Sequence, residues 1–196
     1  MIRRWLIVPL AVFLTGCGYN TIQSLDERAQ AYQGQIEVQL QRRADLIGNL
    51  VETVKGYAQH EQSVLVGVAE ARARVGQAIQ GGDPEAMAAA NTAMTGALGR
   101  LIAVVESNPN LKADANFRAL QDELTGTENR IATARGDYNG AVNEYNAYIR
   151  KFPQVITAKV TGAKARKYFT ADPGTTAAPK VDFGTDKAPP PATKTP

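Results

Sequence analysis

The sequence is poor in the residues that carry catalysis and metal binding. Its 196 residues include one cysteine, Cys17, one histidine, His60, and one tryptophan, Trp5. A single cysteine excludes an internal disulfide and a thiolate zinc cluster, and one histidine is a poor metal site because catalytic zinc usually takes three protein ligands. Nucleophile motifs and phosphate-binding glycine loops are also missing. We therefore expect no catalytic residues, no metal and no cofactor other than a covalent lipid, and a structural or exposed His60.

Charge of one sign is not in excess either. There are 22 basic and 19 acidic residues, and two of the basic ones, Arg3 and Arg4, precede the first apolar run. The near-balance of the remainder argues against a nucleic-acid partner. With 44% hydrophobic and 21% charged residues, the composition is that of a folded soluble body.

The first sixteen residues resemble a bacterial lipoprotein signal peptide. An apolar run from Trp5 to Leu14, too short to span a bilayer as a helix, follows the basic start. The run ends in Leu14-Thr15-Gly16-Cys17, which is similar to a lipobox and implies cleavage before Cys17 and lipidation of this residue. The alternative is an ordinary signal peptide, or an uncleaved anchor, in which Cys17 is incidental.

Lipidation of Cys17 would fix the location of the protein. Several acyl chains hold a protein stably on a membrane, whereas one chain does not. We expect a lipid-anchored protein of the cell envelope that faces an extracytoplasmic space. Gly18 follows the cysteine, and the absence of Asp there resembles the sorting pattern for the outer membrane. In a host with two membranes this places the protein on the periplasmic face of the outer one.

Apolar residues recur every three or four positions along the body, which predicts amphipathic helices. The first stripe runs from Ile22 to Ala58 and corresponds to about 60 Å of helix. No proline interrupts it, and apolar residues continue to Ile79 at the same spacing. Two readings stay open: the helix breaks near Gln59–Gln62, or it runs unbroken to Ile79.

Turn and cap signals divide the rest of the body. Gly81-Gly82-Asp83-Pro84 ends one helix and starts the next, because glycine suits a helix C-terminus and Asp-Pro a helix N-terminus. A second turn follows at Asn108-Pro109-Asn110. We expect Asp114 to cap the last helix, with its apolar stripe reaching from Phe117 to Phe152, where Pro153 stops it.

Helix lengths predict how these elements pack. The stripe of the last helix, about 55–60 Å long, is the one that matches the first helix, since the middle helices span about 30–35 Å each. We predict an all-α fold over residues 17–169: an elongated antiparallel up-and-down four-helix bundle whose long first and last helices pair. Residues 170–196 are rich in Pro, Ala, Thr and Lys and lack a period, which predicts a disordered tail.

Several separated motifs resemble the LemA family over roughly residues 19–169. The resemblance implies a helical bundle held by its N-terminus at the outer face of a membrane, with no established catalytic activity. The sequence departs from the family in two ways. Gly48 stands where many relatives carry Pro, and the anchor looks lipid-linked rather than transmembrane. The motifs, in order, are QRRADLIGNLVETVKGYAQHE at 41–61, EAR at 70–72, ALGRLIAV at 97–104, NPNLKADANFRALQDELTGTENRIATAR at 108–135, and YN at 138–139 and 145–146.

Charged residues on or beside the apolar stripes suggest a structural ion network. Arg43 lies on the apolar side of the first helix, and Glu128 and Arg135 border the stripe of the last one. A buried guanidinium needs a carboxylate and further hydrogen bonds. We predict that Arg43, Glu128 and Arg135 form an interhelical network that fixes helix register. The alternative is that each side chain reaches solvent at the edge of the seam.

A basic segment follows the last helix and contains no acidic residue. In the predicted bundle it lies near the lipidated end, where cations can contact anionic headgroups, and Tyr168-Phe169 can add an interfacial contact. The alternative is a solvated basic end that complements the helix dipole and the acidic body. Its six basic residues are Arg150, Lys151, Lys159, Lys164, Arg166 and Lys167.

The function predicted from these features is not enzymatic. We expect a membrane-anchored scaffold or adaptor whose helix faces bind an envelope protein partner. A structural protein that contacts lipid or the cell wall through residues 150–167 is the second reading. A subunit of an envelope protease complex is the third.

Overall fold

The computed structural model of this protein describes residues 7–56 and 61–170, with side chains from residue 18 onward except those of Asn110 and Lys112. His60 and the predicted tail beyond residue 170 lie outside these ranges. The described residues form helices and no strand, which confirms the predicted all-helical fold. The helices are α1 (Ile7–Lys55), α2 (Gln62–Gly81), α3 (Pro84–Glu106), α4 (Pro109–Ala113), α5 (Ala115–Tyr148) and α6 (Gln154–Thr161).

The helix boundaries follow the cap residues in the sequence. Gly82 ends α2 in the left-handed conformation, with φ of 64°, and Asp83 accepts a hydrogen bond from the backbone N–H of Glu85 at the start of α3. Asp114 accepts hydrogen bonds from the backbone N–H groups of Asn116 and Phe117. Each cap satisfies amide groups that a helix end leaves without a partner. The predicted turn at 81–84 and the predicted cap at Asp114 are confirmed.

The first long helix does not continue to Ile79. α1 begins at Ile7, inside the predicted signal peptide, passes through residue 17 and ends at Lys55, with Gly56 in a turn. α2 begins at Gln62. Of the two readings left open by the sequence, the structure therefore shows the one in which the helix breaks.

α1 and α5 form the most extensive helix pair. Arg28 pairs with Glu144 at 3.0 Å and Arg42 with Glu123 at 2.6 Å, so residue numbers rise along α1 as they fall along α5. The two helices are therefore antiparallel, as their lengths predict. Their facing stripes are fully buried and include Ile36, Leu40, Ile47, Ile131 and Val142.

α2 and α3 form a second pair that packs on α1. α3 is apolar and long enough to cross a membrane, the one helix of the described ranges for which this holds. Its apolar residues Met87, Met94 and Leu101 are fully buried, so the core accounts for its composition. α3 and α5 have little direct backbone contact among the described residues. We call the space between them the α3–α5 seam.

The end of α5 differs from the prediction. The helix stops at Tyr148, and Phe152, expected at the end of its buried stripe, is 81% exposed. The chain then forms the short helix α6, which packs against α1 near Gly18. Pro153 cannot continue α5 because it lacks a backbone N–H. It sits instead at the start of α6, and the apolar stripe ends at Ile149.

Candidate functional site

Arg43 is a buried charged residue among the described helices. Its side chain is 4% exposed. Nη1 donates a hydrogen bond to Asn91 Oδ1 at 2.6 Å, and Nη2 donates one to Thr95 Oγ1 at 3.1 Å. Glu128 Oε2 lies 2.5 Å from Nη1 in an ion pair. One guanidinium of α1 thus connects α3 and α5 across the α3–α5 seam.

The environment of Arg43 combines burial with partial compensation. Burial lowers the pKa of its guanidinium, while the negative charge of Glu128 raises it. The group stays charged because arginine is not deprotonated in proteins. Among the described residues its Nε has no hydrogen-bond partner. Arg43 and Glu128 also line a cavity of about 240 Å³ whose other walls are mostly apolar: Leu50, Leu98, Ile102, Phe117 and Leu124.

The structure brings together two of the three residues of the predicted ion network. Arg135 lies elsewhere, with its guanidinium 4.9 Å from the centre of the Phe169 ring. The groups that complete the arginine site are the neutral side chains of Asn91 and Thr95. Charge patterning alone did not indicate them, because neither carries a charge and both lie inside an apolar helix.

The non-helical residues 163–170, which we call the strap, are held on α5 by two asparagines. Asn146 donates to the Arg166 carbonyl and accepts from the Arg166 N–H, each at 2.9 Å. Asn139 makes the same two bonds to Phe169, at 3.0 and 2.8 Å. The two Tyr-Asn pairs are seven residues apart, so both asparagines lie on one face of α5. The seven-residue spacing of the two Tyr-Asn pairs is the sequence feature from which the strap could have been predicted.

Two of the six predicted membrane-contact residues bind within the fold instead. Arg166 makes a two-bond ion pair with Asp26 of α1, at 2.6 and 3.0 Å, and this hydrogen bonding raises the pKa of Arg166. Lys167 pairs with Asp83 at 3.1 Å and Glu85 at 2.9 Å. The strap therefore links α1, α3 and α5. The other four, Arg150, Lys151, Lys159 and Lys164, are exposed.

An exposed apolar surface lies beside these four cations. Ile156 and Val160 lie four residues apart on one face of α6, and Phe152 precedes the helix by two residues; they are 48%, 80% and 81% exposed. We call these three residues the α6 patch. α6 packs next to Gly18, the residue that follows Cys17. The α6 patch and its basic neighbours therefore lie at the end of the molecule where the lipid anchor is predicted.

A shallow groove of about 710 Å³ runs between α1 and α5. Ala31, Gly34 and Val38 line one side, and Thr133 and Ala134 belong to the other. Val38, in the wall of this groove, is 64% exposed.

Chemistry-bearing residues are sparse in the described ranges. No group of three or more His, Cys, Asp or Glu side chains there could hold a metal ion. The Cys17 side chain, the predicted lipidation site, and His60 lie outside the described part of the chain. The arrangements that remain are an interhelical arginine, a strap, an apolar and basic end, and a groove.

Comparisons with known proteins give a family profile and several similar proteins. The profile of the LemA family matches residues 32–183, more than half of the chain. The magnetosome proteins MamQ 1 and MamQ 2 of Paramagnetospirillum magneticum are each 34% identical over 178 residues, which covers 79% of this chain and 65% of each relative. Magnetosome protein MamQ of Magnetospirillum gryphiswaldense is 30% identical over 192 residues, covering 85% of this chain and 71% of the relative. The chain thus matches slightly less than two thirds of the length of the first two relatives.

Proposed function

This chain belongs to the LemA family, and from that premise we propose that it is a membrane-held scaffold of the cell envelope. Its α6 end rests on the membrane surface, and its helical body projects away from the membrane to bind envelope protein partners. The proposed role is non-catalytic and uses no cofactor. The observation that carries the proposal is the exposed α6 patch beside Gly18.

The proposed membrane contact has an apolar and an electrostatic part. Three neighbouring side chains, Phe152, Ile156 and Val160, expose apolar surface that would be removed from water at a lipid interface. The four exposed cations on the same end add attraction to anionic headgroups, about 1 kcal/mol each at a strongly anionic surface. This attraction weakens as salt is added, whereas the apolar part does not.

Vesicle binding tests the proposed contact without the lipid anchor. In a chain that starts at Gly18, replacing Phe152, Ile156 and Val160 together by Ser should weaken binding to anionic vesicles by about tenfold or more. The control replaces Val38 and Val66, which are 64% and 49% exposed on other helices, by Ser. Equal binding by the two variants would refute membrane contact through α6.

Neutralising the cations separates the two parts of the contact. Replacing Arg150, Lys151, Lys159 and Lys164 by Gln should weaken binding to anionic vesicles and remove its salt dependence. Binding to uncharged vesicles should change little. A salt dependence that survives the four substitutions would exclude these cations as the electrostatic contact.

We also propose that Cys17 is lipidated after removal of residues 1–16 and that the protein faces an extracytoplasmic space. The lipobox-like Leu14-Thr15-Gly16-Cys17 supports this assignment. Radiolabelled palmitate fed to the native host should label the full chain but not the Cys17→Ser variant. A protein that carries no label, or keeps it in the variant, would exclude acylation at this residue.

For the scaffold role we propose that α1, α2, α3 and α5 act as one elongated up-and-down bundle. The antiparallel α1–α5 pair and the α2–α3 pair support this arrangement. The groove between α1 and α5 is the proposed partner surface. A photo-crosslinking residue at position 38, in the groove, should capture an envelope protein in intact cells. The same residue at position 66, on α2, is the control, and equal capture at both would contradict a specific groove.

A further inference from the structure

The cavity of about 240 Å³ beside Arg43 lies in the α3–α5 seam. α3 contributes Leu98 and Ile102 to its walls, and α5 contributes Phe117 and Leu124. Cores are packed closely, and voids larger than a water molecule are few in a domain. Spaces between the helices of a bundle are also places where small molecules bind. The walls of this cavity suit a mostly apolar molecule.

One edge of the cavity is a buried hydrogen-bond donor. Arg43 lines the cavity with a side chain that is 4% exposed. Its Nη1 and Nη2 donate to Asn91 and Thr95, whereas its Nε has no acceptor within the described ranges. A buried donor without an acceptor is costly, so an occupant that accepts a hydrogen bond from Nε is favoured.

The charges at this edge offset each other. Glu128 also lines the cavity, and its Oε2 lies 2.5 Å from Arg43 Nη1. An anionic occupant would be attracted by the guanidinium and repelled by the carboxylate, and a cationic occupant would meet the reverse. Taking an ion out of water without a dedicated partner is costly. The cavity therefore favours a neutral occupant.

A hydroxyl group is the neutral group that matches both sides of this edge. Glu128 Oε2 is a buried atom, and a carboxylate oxygen can accept more than one hydrogen bond. A hydroxyl group accepts hydrogen bonds and donates one. We propose that the cavity binds a small neutral molecule with an apolar body and one hydroxyl group, that is, an alcohol or a phenol. The hydroxyl accepts from Arg43 Nε and donates to Glu128 Oε2.

The size and position of the cavity fit such a ligand. An apolar cavity of about 150 Å³ can hold benzene, so 240 Å³ leaves room for a ring with a short alkyl group and a hydroxyl. The exposed residues Gln121 and Thr125 of α5 line the same cavity, which gives a ligand access from solvent. This site uses neither the α6 patch nor the groove between α1 and α5. The inference is therefore independent of the proposed scaffold role.

Two aromatic probes of nearly equal size test the recognition of the hydroxyl. They are para-ethylphenol and para-ethyltoluene, which has a methyl group in place of the hydroxyl. The purified full chain should bind para-ethylphenol at least about tenfold more tightly, because a site with buried polar groups rejects an analogue that leaves them unpaired. Affinities are compared at the measured free concentration of each probe. Equal or tighter binding of para-ethyltoluene would overturn the proposal.

Backbone amide chemical shifts locate the bound probe. Adding para-ethylphenol should shift the amide signals of residues 98–102 and 117–128, which form the cavity walls on α3 and α5. Signals of residues 152–160, which include the α6 patch, should stay in place. Shifts at 152–160 instead would mean adventitious binding to exposed apolar surface, and unchanged signals at the cavity would mean that the probe does not enter it. Either result would overturn the proposal.

Removing the carboxylate of Glu128 tests the charge argument. The natural chain should bind the anion para-ethylbenzoate at least about tenfold more weakly than para-ethylphenol. Glu128→Gln leaves the Arg43 charge without its counter-charge, so it should tighten binding of para-ethylbenzoate about tenfold. The matched control is Glu123→Gln, since the Glu123 side chain is 41% exposed and that of Glu128 is 43% exposed. Equal affinity of the two variants for para-ethylbenzoate would overturn the assignment of Glu128 as the partner of the hydroxyl.

Discussion

At the scale of single residues, Arg43 shows how a buried charge fixes helix register. Its three polar partners come from two other helices, so a shift of α3 or α5 by one residue would separate the guanidinium from them. Register is the best-attested use of buried ionic groups.

A double-mutant cycle on Arg43→Met and Glu128→Gln should give a coupling energy of about 2 kcal/mol. Removing one partner of a fully buried pair costs about 3–5 kcal/mol, and the 43% exposure of the Glu128 side chain reduces this. The measurement is the free energy of unfolding of the four proteins in denaturant.

The matched control for this cycle is the pair Arg42–Glu123, which also joins α1 to α5. Its side chains are 50% and 41% exposed, so the same cycle should give less than about 1 kcal/mol. Coupling at Arg43–Glu128 no greater than at this exposed pair would show that burial adds nothing to the interaction.

Tyr138 gives a prediction for alkaline pH. Its hydroxyl donates to the Lys167 carbonyl at 2.8 Å, and burial raises the pKa of Tyr138. Since the folded pKa lies above the unfolded value of about 10, the folded state holds this proton more tightly. The stability from this group is full below pH 10 and is lost as pH rises above it.

The Tyr138→Phe variant isolates that contribution. It should be less stable than the natural chain by about 1 kcal/mol at neutral pH, because one hydrogen bond is lost. The difference should shrink as pH rises above about 10, which denaturant unfolding at several pH values measures. A difference that stays constant over this range would contradict a tyrosine proton held by the fold.

At the scale of elements, the parts that local sequence chemistry controls were predictable. The Gly81–Pro84 turn, the Asp114 cap and the long apolar stripes each depend on residues close in sequence. α6 and the strap were not predictable in this way. The strap is non-helical, so it has no period, and its bonds come from asparagines on a helix about 20 to 30 residues earlier. Phe169, read as an interfacial residue, is 2% exposed.

Two glycines in different backbone conformations should respond in opposite ways to alanine. Gly136 is exposed within α5, and an added Cβ there meets no atom within 4 Å. Gly136→Ala should stabilise the protein by up to about 1 kcal/mol, the difference in helix propensity. Gly82→Ala should destabilise it by about 1–2 kcal/mol, because φ at this cap is 64°. Denaturant unfolding measures both stability changes. If both substitutions changed stability in the same direction, the helical conformation of Gly136 and the left-handed conformation of Gly82 would be contradicted.

At the scale of the whole molecule, the two helix pairs meet where α2 and α3 pack on α1, while the α3–α5 seam is sparsely packed. α1–α5 and α2–α3 each have extensive internal contact, and α3 approaches α5 little among the described residues. The polar links across the seam are Arg43 at one level and the strap at another. Sequence periodicity predicted the pairs because each is amphipathic along its length. Charges beside the stripes indicated Arg43 with Glu128, but neither charge nor periodicity indicated Asn91, Thr95 or the strap, which depend on contacts distant in sequence.

Phe169 tests whether the strap holds the two helix pairs as one cooperative unit. Phe169→Ala should cost about 3–4 kcal/mol, because the ring is fully buried in the main core. If the strap joins the pairs, amides in α2 and α3 should lose protection more than those in α1 and α5, which keep their own extensive interface. Hydrogen exchange resolved along the chain measures this difference.

The control for Phe169→Ala is Tyr168→Ala, at the neighbouring position. The side chain of Tyr168 is 38% exposed, so its removal should cost less than about 1 kcal/mol. Equal loss of protection in both pairs would mean that they still unfold as one cooperative unit without the ring, so that the strap adds stability but is not what couples them.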